Sequence, residues 1–485
     1  MNDILPVRRD LYYGGAWHAP VDGGYADCIA PATGAGLGPV ARGGPADMAA
    51  AIEAADAAFP AWRDTPPLAR ARHLRAIADT MRAHRDELAL VDAVGSGNPV
   101  SAMLKDVDIA TAALDFFAGL VTEMKGDSIP MGPAALNFTV REPLGVVGRI
   151  IAFNHPLMFA AAKMAAPLAA GNTVVLKPAE QAPLSVLRFL ELVGDRLPPG
   201  VLNVVNGGPE AGAVLAGHRK VAMVGLIGSV PTGAAVMGQA ARTIKPVMLE
   251  LGGKNALIAC PDADVEKVAR GIVAGMNFAW CGQSCGSTSR AFVHADIHDA
   301  VAERVRALCA AFVPGDPADP RTTMGSLISR QQRERVLAHI ATARAEGAAL
   351  LCGGGPPQDP ELAGGFFVLP TVFTGVTPDM TIAREEIFGP VLAMLRWTDE
   401  AEMLRAVNAV DYGLTCSIWT RDLDRAHRLA RAAQAGYVWI NTASAHYLGA
   451  PFGGVKRSGI GREECLGELL SFTQEKNIHV ALETA

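Results

Sequence analysis

Val146-Val147-Gly148-Arg149-Ile150-Ile151-Ala152-Phe153 is a run of β-branched and apolar residues that stops at Asn154-His155-Pro156. A short apolar run closed by proline reads as a buried strand. Pro156 pushes His155 away from helical angles and suits the first turn of a following helix. Similar runs follow at Thr173-Val174-Val175-Leu176, Val201-Leu202-Asn203-Val204-Val205 and Val221-Ala222-Met223-Val224-Gly225-Leu226-Ile227, with helical stretches between them. Repeated strand and helix units of this length require a parallel sheet covered on both faces, a doubly wound α/β domain. Ligands of such sheets bind beyond the carboxyl ends of the strands, so the residues that end each strand are the ones to read for function.

Outward from that sheet, Leu11-Tyr12-Tyr13-Gly14-Gly15-Ala16-Trp17 reads as a hairpin strand, and helical periodicity covers residues 47–59, 68–94 and 101–122, the last capped by Ser101. A second α/β segment begins at Asn255 and runs through Ala256-Leu257-Ile258-Ala259, Ala291-Phe292-Val293, Cys416-Ser417-Ile418-Trp419 and Tyr437-Val438-Trp439-Ile440. Asn137-Phe138-Thr139-Val140-Arg141 and Asn477-Ile478-His479-Val480-Ala481-Leu482 fit neither sheet and predict a small extra one, of use between subunits.

The 485 residues suffice for two or three domains, and half of them are hydrophobic. A net charge of −6 with no basic stripe or polybasic patch argues against nucleic acid and membrane surfaces as partners. Without a signal-like apolar run at the N-terminus the expected location is the cytoplasm, and eight scattered cysteines fit a reducing compartment. Cys281 and Cys285 have no second Cys/His pair nearby, so no metal site is expected.

The strand ends carry polar residues. Asn154 is either a neutral donor at the mouth of the sheet or an ordinary turn asparagine. Lys177-Pro178-Ala179-Glu180 offers a cation and a carboxylate suited to ribose hydroxyls, or else a solvated pair. Gly228-Ser229-Val230-Pro231-Thr232-Gly233 opens a helix whose start favours an anion such as a pyrophosphate, although the G-x-G-x-x-G pattern is absent. Glu250, in Met248-Leu249-Glu250-Leu251-Gly252-Gly253-Lys254, is a carboxylate in an apolar strand, where burial raises its pKa and suits it to act as a general base. Glu386 and Phe388 lie beside a tight turn at Glu385-Glu386-Ile387-Phe388-Gly389-Pro390. After a helix expected at 263–279, Cys285 sits in a small, polar loop, Trp280-Cys281-Gly282-Gln283-Ser284-Cys285-Gly286-Ser287, whose free backbone N–H groups favour a thiolate nucleophile; an inert small residue is the alternative.

Together with Pro451-Phe452-Gly453-Gly454, these segments resemble the aldehyde dehydrogenase superfamily over nearly the whole chain, in family order and with spacing close to the family's. The resemblance implies a Rossmann-like NAD-binding domain (1–124 and 145–252), a catalytic domain (253–468) and oligomerisation strands (125–144 and 469–485), assembled as a homodimer or homotetramer. It implies that Cys285 is the nucleophile, Glu250 the general base, and Asn154 with the Cys285 N–H the oxyanion hole. Lys177 and Glu180 then match the ribose contacts, and Ser229, within the turn from Gly228 to Gly233, a pyrophosphate contact. Glu386 and Phe388 match the groups that hold the nicotinamide half. Glu250 argues against a branch that passes its thioester to coenzyme A, and the joint presence of Cys285, Asn154 and Glu250 argues against a silent structural relative.

Two departures concern the substrate. His155 follows the asparagine where the family more often has an aromatic residue, and His446 falls near a frequently aromatic channel position. These histidines either line the substrate tunnel or pack against the backbone. With Phe159, Trp280 and Phe452 as further wall residues, an aromatic or medium-sized apolar aldehyde, with a hydroxyl for a histidine, is the expected substrate. Glu180 would repel a 2′-phosphate, so NAD is expected over NADP.

Overall fold

A computed structural model describes residues 4–482; residues 1–3 and 483–485, the outermost parts of the expected divisions, lie outside it. Its first sheet has eight strands in the spatial order Gly459–Ile460, Val247–Glu250, Val221–Ile227, Val146–Ile150, Thr173–Lys177, Leu202–Val204, Leu11–Tyr13 and Ala16–His18. The five strands between 146 and 250 are parallel, whereas the edges pair antiparallel. Both faces are covered because both faces of each strand are apolar. Val147, Val174, Leu176 and Met223 enter one core with the helices Pro67–Ala83, Val100–Gly119 and Pro156–Ala169; Val146, Val175, Val224 and Leu226 enter another with Pro45–Arg63 and Pro209–Gly217. From Val146–Ile150 the chain builds outward on one side and then returns to lay Val221–Ile227 on the other. The crevice where the order reverses is the place such sheets bind ligands.

The second sheet orders Ala349–Cys352, Thr371–Thr374, Val391–Trp397, Arg290–His294, Ala256–Ala259, Thr415–Trp419 and Tyr437–Ile440, parallel except at its first edge. The third joins the two orphan strands as expected: Thr473–Ala481 pairs antiparallel with Ala135–Pro143, and Ser128–Ile129 completes it. Chain architecture is thus mixed α/β with two doubly wound sheets and a small third one.

Three local expectations change. The periodic stretch 68–94 is two helices, Pro67–Ala83 and Arg85–Ser96, broken at His84, whose Nδ1 lies 2.9 Å from Glu87 in the new first turn. Periodicity survives the break because Leu74, Ile77, Leu88 and Val91 all face one core. Ser101 is not a cap, since the helix Val100–Gly119 starts directly after Pro99, a residue that already sets the entry angle. The helix expected at 263–279 ends at Gly275, and left-handed Asn277 (φ 53°) diverts the chain into the short turn Phe278–Trp280.

Asn172 ties the first sheet to the third. Its buried amide accepts from Gly145 N (3.0 Å) and donates to Pro167 O (3.2 Å) and Phe472 O (2.9 Å). Asn172→Ala would leave buried backbone groups unpaired at about 1–3 kcal/mol each. The expected outcome is a loss of about 3 kcal/mol or more, read as a lower urea midpoint; an unchanged midpoint would refute this role.

Candidate active site

The Cys285 loop is held from both sides. Cys281 (φ 53°) and Gly282 (φ 67°) turn left-handed, and a Cβ at Gly282 would lie 2.2 Å from Gly389 O, so only glycine fits there. Asn255 Nδ2 donates to Cys285 O (2.6 Å) and Ser287 O (3.1 Å), while Gln283 accepts from Ile328 N (3.0 Å) and donates to Ser326 O (3.2 Å). Cys281 is fully buried in the core, with burial holding its thiol protonated; Cys285 borders a cavity of about 710 Å³.

Glu250, the last residue of Val247–Glu250, reaches the same cavity from the first sheet. Burial raises its carboxyl to about 8, and its Oε1 is buried with no hydrogen-bond partner among the described residues. Burial and the adjacent Glu250 carboxylate push the Cys285 thiol well above its ordinary value. A buried thiol next to a high-pKa carboxyl can transfer its proton locally as sulfur attacks an electrophile. His155, Phe159, Trp280, His446 and Phe452 also line this cavity. Asn154, beyond the end of the strand Val146–Ile150, is buried, with its backbone carbonyl accepting from Asn98 Nδ2 (3.1 Å) and its Oδ1 without a partner among the described residues.

The groups expected at a cofactor gather along the strand ends. Lys177 ends Thr173–Lys177, buried, with its ammonium pKa lowered by desolvation. Ser229 caps Val230–Ala241, accepting from Thr232 N (3.4 Å), after Gly228. Gly233 lets that helix approach Leu251, for a Cβ there would fall 2.6 Å from Leu251 Cδ1. Glu386 accepts from Gly253 N (3.0 Å), and a Cβ on Gly252 would collide with it. Phe388, left-handed at φ 54°, meets Phe153 edge to face at 5.7 Å. An ammonium, carboxylates, a capped helix start and an aromatic ring are a donor set that fits a dinucleotide.

Four features escaped the sequence reading. Arg42, in the loop before the first helix, bridges Glu180 (3.2 Å) and Glu210 (2.9 Å), so Glu180 is not a free carboxylate. Asp106 accepts from His155 Nδ1 at 2.7 Å. Lys254 Nζ is buried with no hydrogen-bond partner among the described residues, its pKa lowered to about 7 by desolvation. Near Glu250, Glu463 accepts from Arg149 Nη2 (2.8 Å) and forms an ion pair with Lys163 Nζ (2.8 Å), and Glu468 beside it is raised by burial to about 7. Arg149 and Lys163 had only the signal of a charge in an apolar run; their partner lies some 300 residues away in sequence, where no periodicity points to it.

A thiol and a raised carboxylate on one cavity, together with strand-end residues whose chemistry fits a dinucleotide, are consistent with the class that comparison with known proteins shows. The chain belongs to the aldehyde dehydrogenase family, whose model matches residues 17–478, and it is an aldehyde dehydrogenase. It is 50% identical over 490 residues to aldehyde dehydrogenase tropH of Talaromyces stipitatus, covering 99% of this chain and 95% of that one. It is 42% identical to a betaine aldehyde dehydrogenase of Mesorhizobium japonicum, covering 93% of each. The crystal structure of PnpE in complex with nicotinamide adenine dinucleotide matches it at TM-score 0.96 and 38% identity, over 99% of both chains.

The Glu463 cluster yields a stability prediction. The two cations hold Glu463 far below the usual carboxylate range, at about 2. A depressed folded pKa contributes stability above the unfolded value, lost only as pH falls through the folded one. Glu463→Leu would strand two buried cations, at a cost of about 3–5 kcal/mol. Thermal unfolding at neutral pH should therefore occur at markedly lower temperature in the variant, and the gap should shrink toward pH 2. A gap that is absent, or constant with pH, would contradict the assignment.

Proposed function

We propose that this enzyme oxidises an aromatic or medium-sized apolar aldehyde to its acid, through a thiohemiacetal and a thioester on Cys285, with NAD as hydride acceptor. The observation that carries the reading is the shared cavity of Cys285 and Glu250, where each group alters the other's proton affinity. Sulfur attacks the aldehyde carbon, and the oxyanion that forms is met by the Asn154 amide and the Cys285 N–H, donors of a kind worth about 3 to 4 kcal/mol. Lys177, Glu180, Gly228, Ser229, Gly233, Glu386 and Phe388 would hold the dinucleotide, which when bound supplies the hydride acceptor for oxidation to the thioester. Glu250 then takes a proton from water as its oxygen attacks the thioester carbon; the C–S bond breaks and the acid leaves.

Phe159, Trp280, Phe452, His155 and His446 on the wall support an aromatic or medium-sized substrate. Glu180 and Glu210, two carboxylates against one Arg42 guanidinium, support NAD over NADP. The sheets support the division into a cofactor domain (1–124 and 145–252), a catalytic domain (253–468) and oligomerisation strands (125–144 and 469–485). Leu136, Ile129 and Val480, exposed on the third sheet, support assembly into a homodimer or homotetramer. Eight unpaired cysteines support a cytoplasmic location.

Two measurements check this reading. NADH formation from an aldehyde panel should be abolished in Cys285→Ala and should exceed NADPH formation in kcat/KM; turnover by the variant, or equal use of both cofactors, would refute the corresponding part. Because Glu250 is proton-bearing below about 8 and a base above it, steady-state turnover should rise as pH climbs through that value. Glu250→Gln should retain a burst of NADH but turn over at least about 100-fold more slowly, without that rise. Wild-type-like steady-state turnover in the variant would exclude Glu250 as the base.

A further inference from the structure

We infer that Asp106 and His155 form a recognition pair that selects aldehydes carrying a hydroxyl group, an inference that rests on the proposed substrate cavity and narrows its substrate class. Asp106, buried on the helix Val100–Gly119, takes the His155 Nδ1 hydrogen at 2.7 Å. A carboxylate oxygen only accepts, so Nδ1 carries the hydrogen, the tautomer that leaves Nε2 as the acceptor of the imidazole. The ring is set by its place just before Pro156–Ala169 and by its contacts with Phe159 (5.3 Å between ring centres) and Trp280 (5.5 Å). Among the described residues no protein group engages Nε2, and His155 faces the cavity.

The Trp280 ring flanks the imidazole on the same wall, and its buried Nε1 makes no hydrogen bond among the described residues. A fixed acceptor on an otherwise aromatic wall calls for a donor on the ligand, and a hydroxyl supplies one. An ether cannot donate to Nε2. A carboxylate would meet a lone pair in a cavity that already holds Asp106, Glu250, Glu464 and Glu468, against Lys105 and the Glu463-bound Lys163. His446 is arranged likewise, with Nδ1 3.2 Å from Glu464, but at 39% side-chain exposure against 15% for His155 it stands in a wetter place, where a hydrogen bond discriminates less. Asp106 acts through His155 and is a positioning residue.

The test uses the full-length enzyme and compares ligands within each variant, so that a general loss of activity cancels. Benzaldehyde, the three hydroxybenzaldehydes and the three methoxybenzaldehydes are assayed with NAD, and phenol and anisole binding is measured by calorimetry without turnover. At least one hydroxybenzaldehyde should exceed both benzaldehyde and its methoxy counterpart in kcat/KM by about ten-fold, mainly through KM, and phenol should bind more tightly than anisole by a similar factor. Both ratios should fall to within about two-fold in His155→Phe and in Asp106→Leu, whereas Asp106→Asn, which still accepts from Nδ1, should keep most of the preference. Equal ratios in the wild type, a preference that survives His155→Phe, or a stronger response to methoxy groups would overturn the pair. Absence of Cys285-dependent turnover on every aldehyde would sink the broader reading instead, and the phenol-to-anisole ratio would still decide this one.

Discussion

Glu463 holds together parts of the molecule that nothing in local sequence joins. It is buried with two cations, one from a strand of the first sheet (Arg149) and one from the helix that follows that strand (Lys163). Charges so placed are tolerable only as a set, since removing one leaves the others without water or partner. The set lies near Glu250, and its net charge is part of what Glu250 experiences: Glu463 raises the Glu250 pKa, and Lys163 opposes it. The floor of the cavity therefore tunes the proton affinity of the buried Glu250 carboxyl, so packing and electrostatics are not separable at this point.

Burial sets the rest of the site's character. Water excluded from the cavity floor raises both the Cys285 thiol and the Glu250 carboxyl, so neither charge is present for free. Two groups that each resist ionisation, placed side by side, can exchange one proton between them without either being charged for long. The loop that holds Cys285 is built for rigidity rather than for a thiolate at rest, pinned by Asn255 and Gln283 through backbone carbonyls and amides.

Much of this was legible in the sequence, for a physical reason. Strands buried on both faces need apolar residues at every position, so Val146, Val147, Val174 and Val175 declared their sheet without an alignment. The strand ends and the Cys285 loop were legible because polar residues at such places stand out against an apolar background. Helix breaks were not: His84 interrupts a helix without disturbing the apolar periodicity on either side. Nor were partners distant in the chain, such as Arg42 with Glu180 or Asp106 with His155, because a carboxylate on an amphipathic helix looks the same whether it meets solvent or an imidazole.

The edge strand Gly459–Ile460 lies antiparallel to Val247–Glu250, with Glu250 opposite Gly459. A Cβ on Gly459 would sit 2.1 Å from Leu249 O, so the seam is drawn tight. As the chain leaves the ribosome, the strand bearing Glu250 appears well before its neighbour, with every strand of the second sheet made between them. Until then the first sheet has an unfinished border, with bare N–H and C=O groups beside Glu250. The nascent protein thus carries this flank open to other strands while the second sheet is being made, and sealing it coincides with delivery of Glu463 to Arg149 and Lys163.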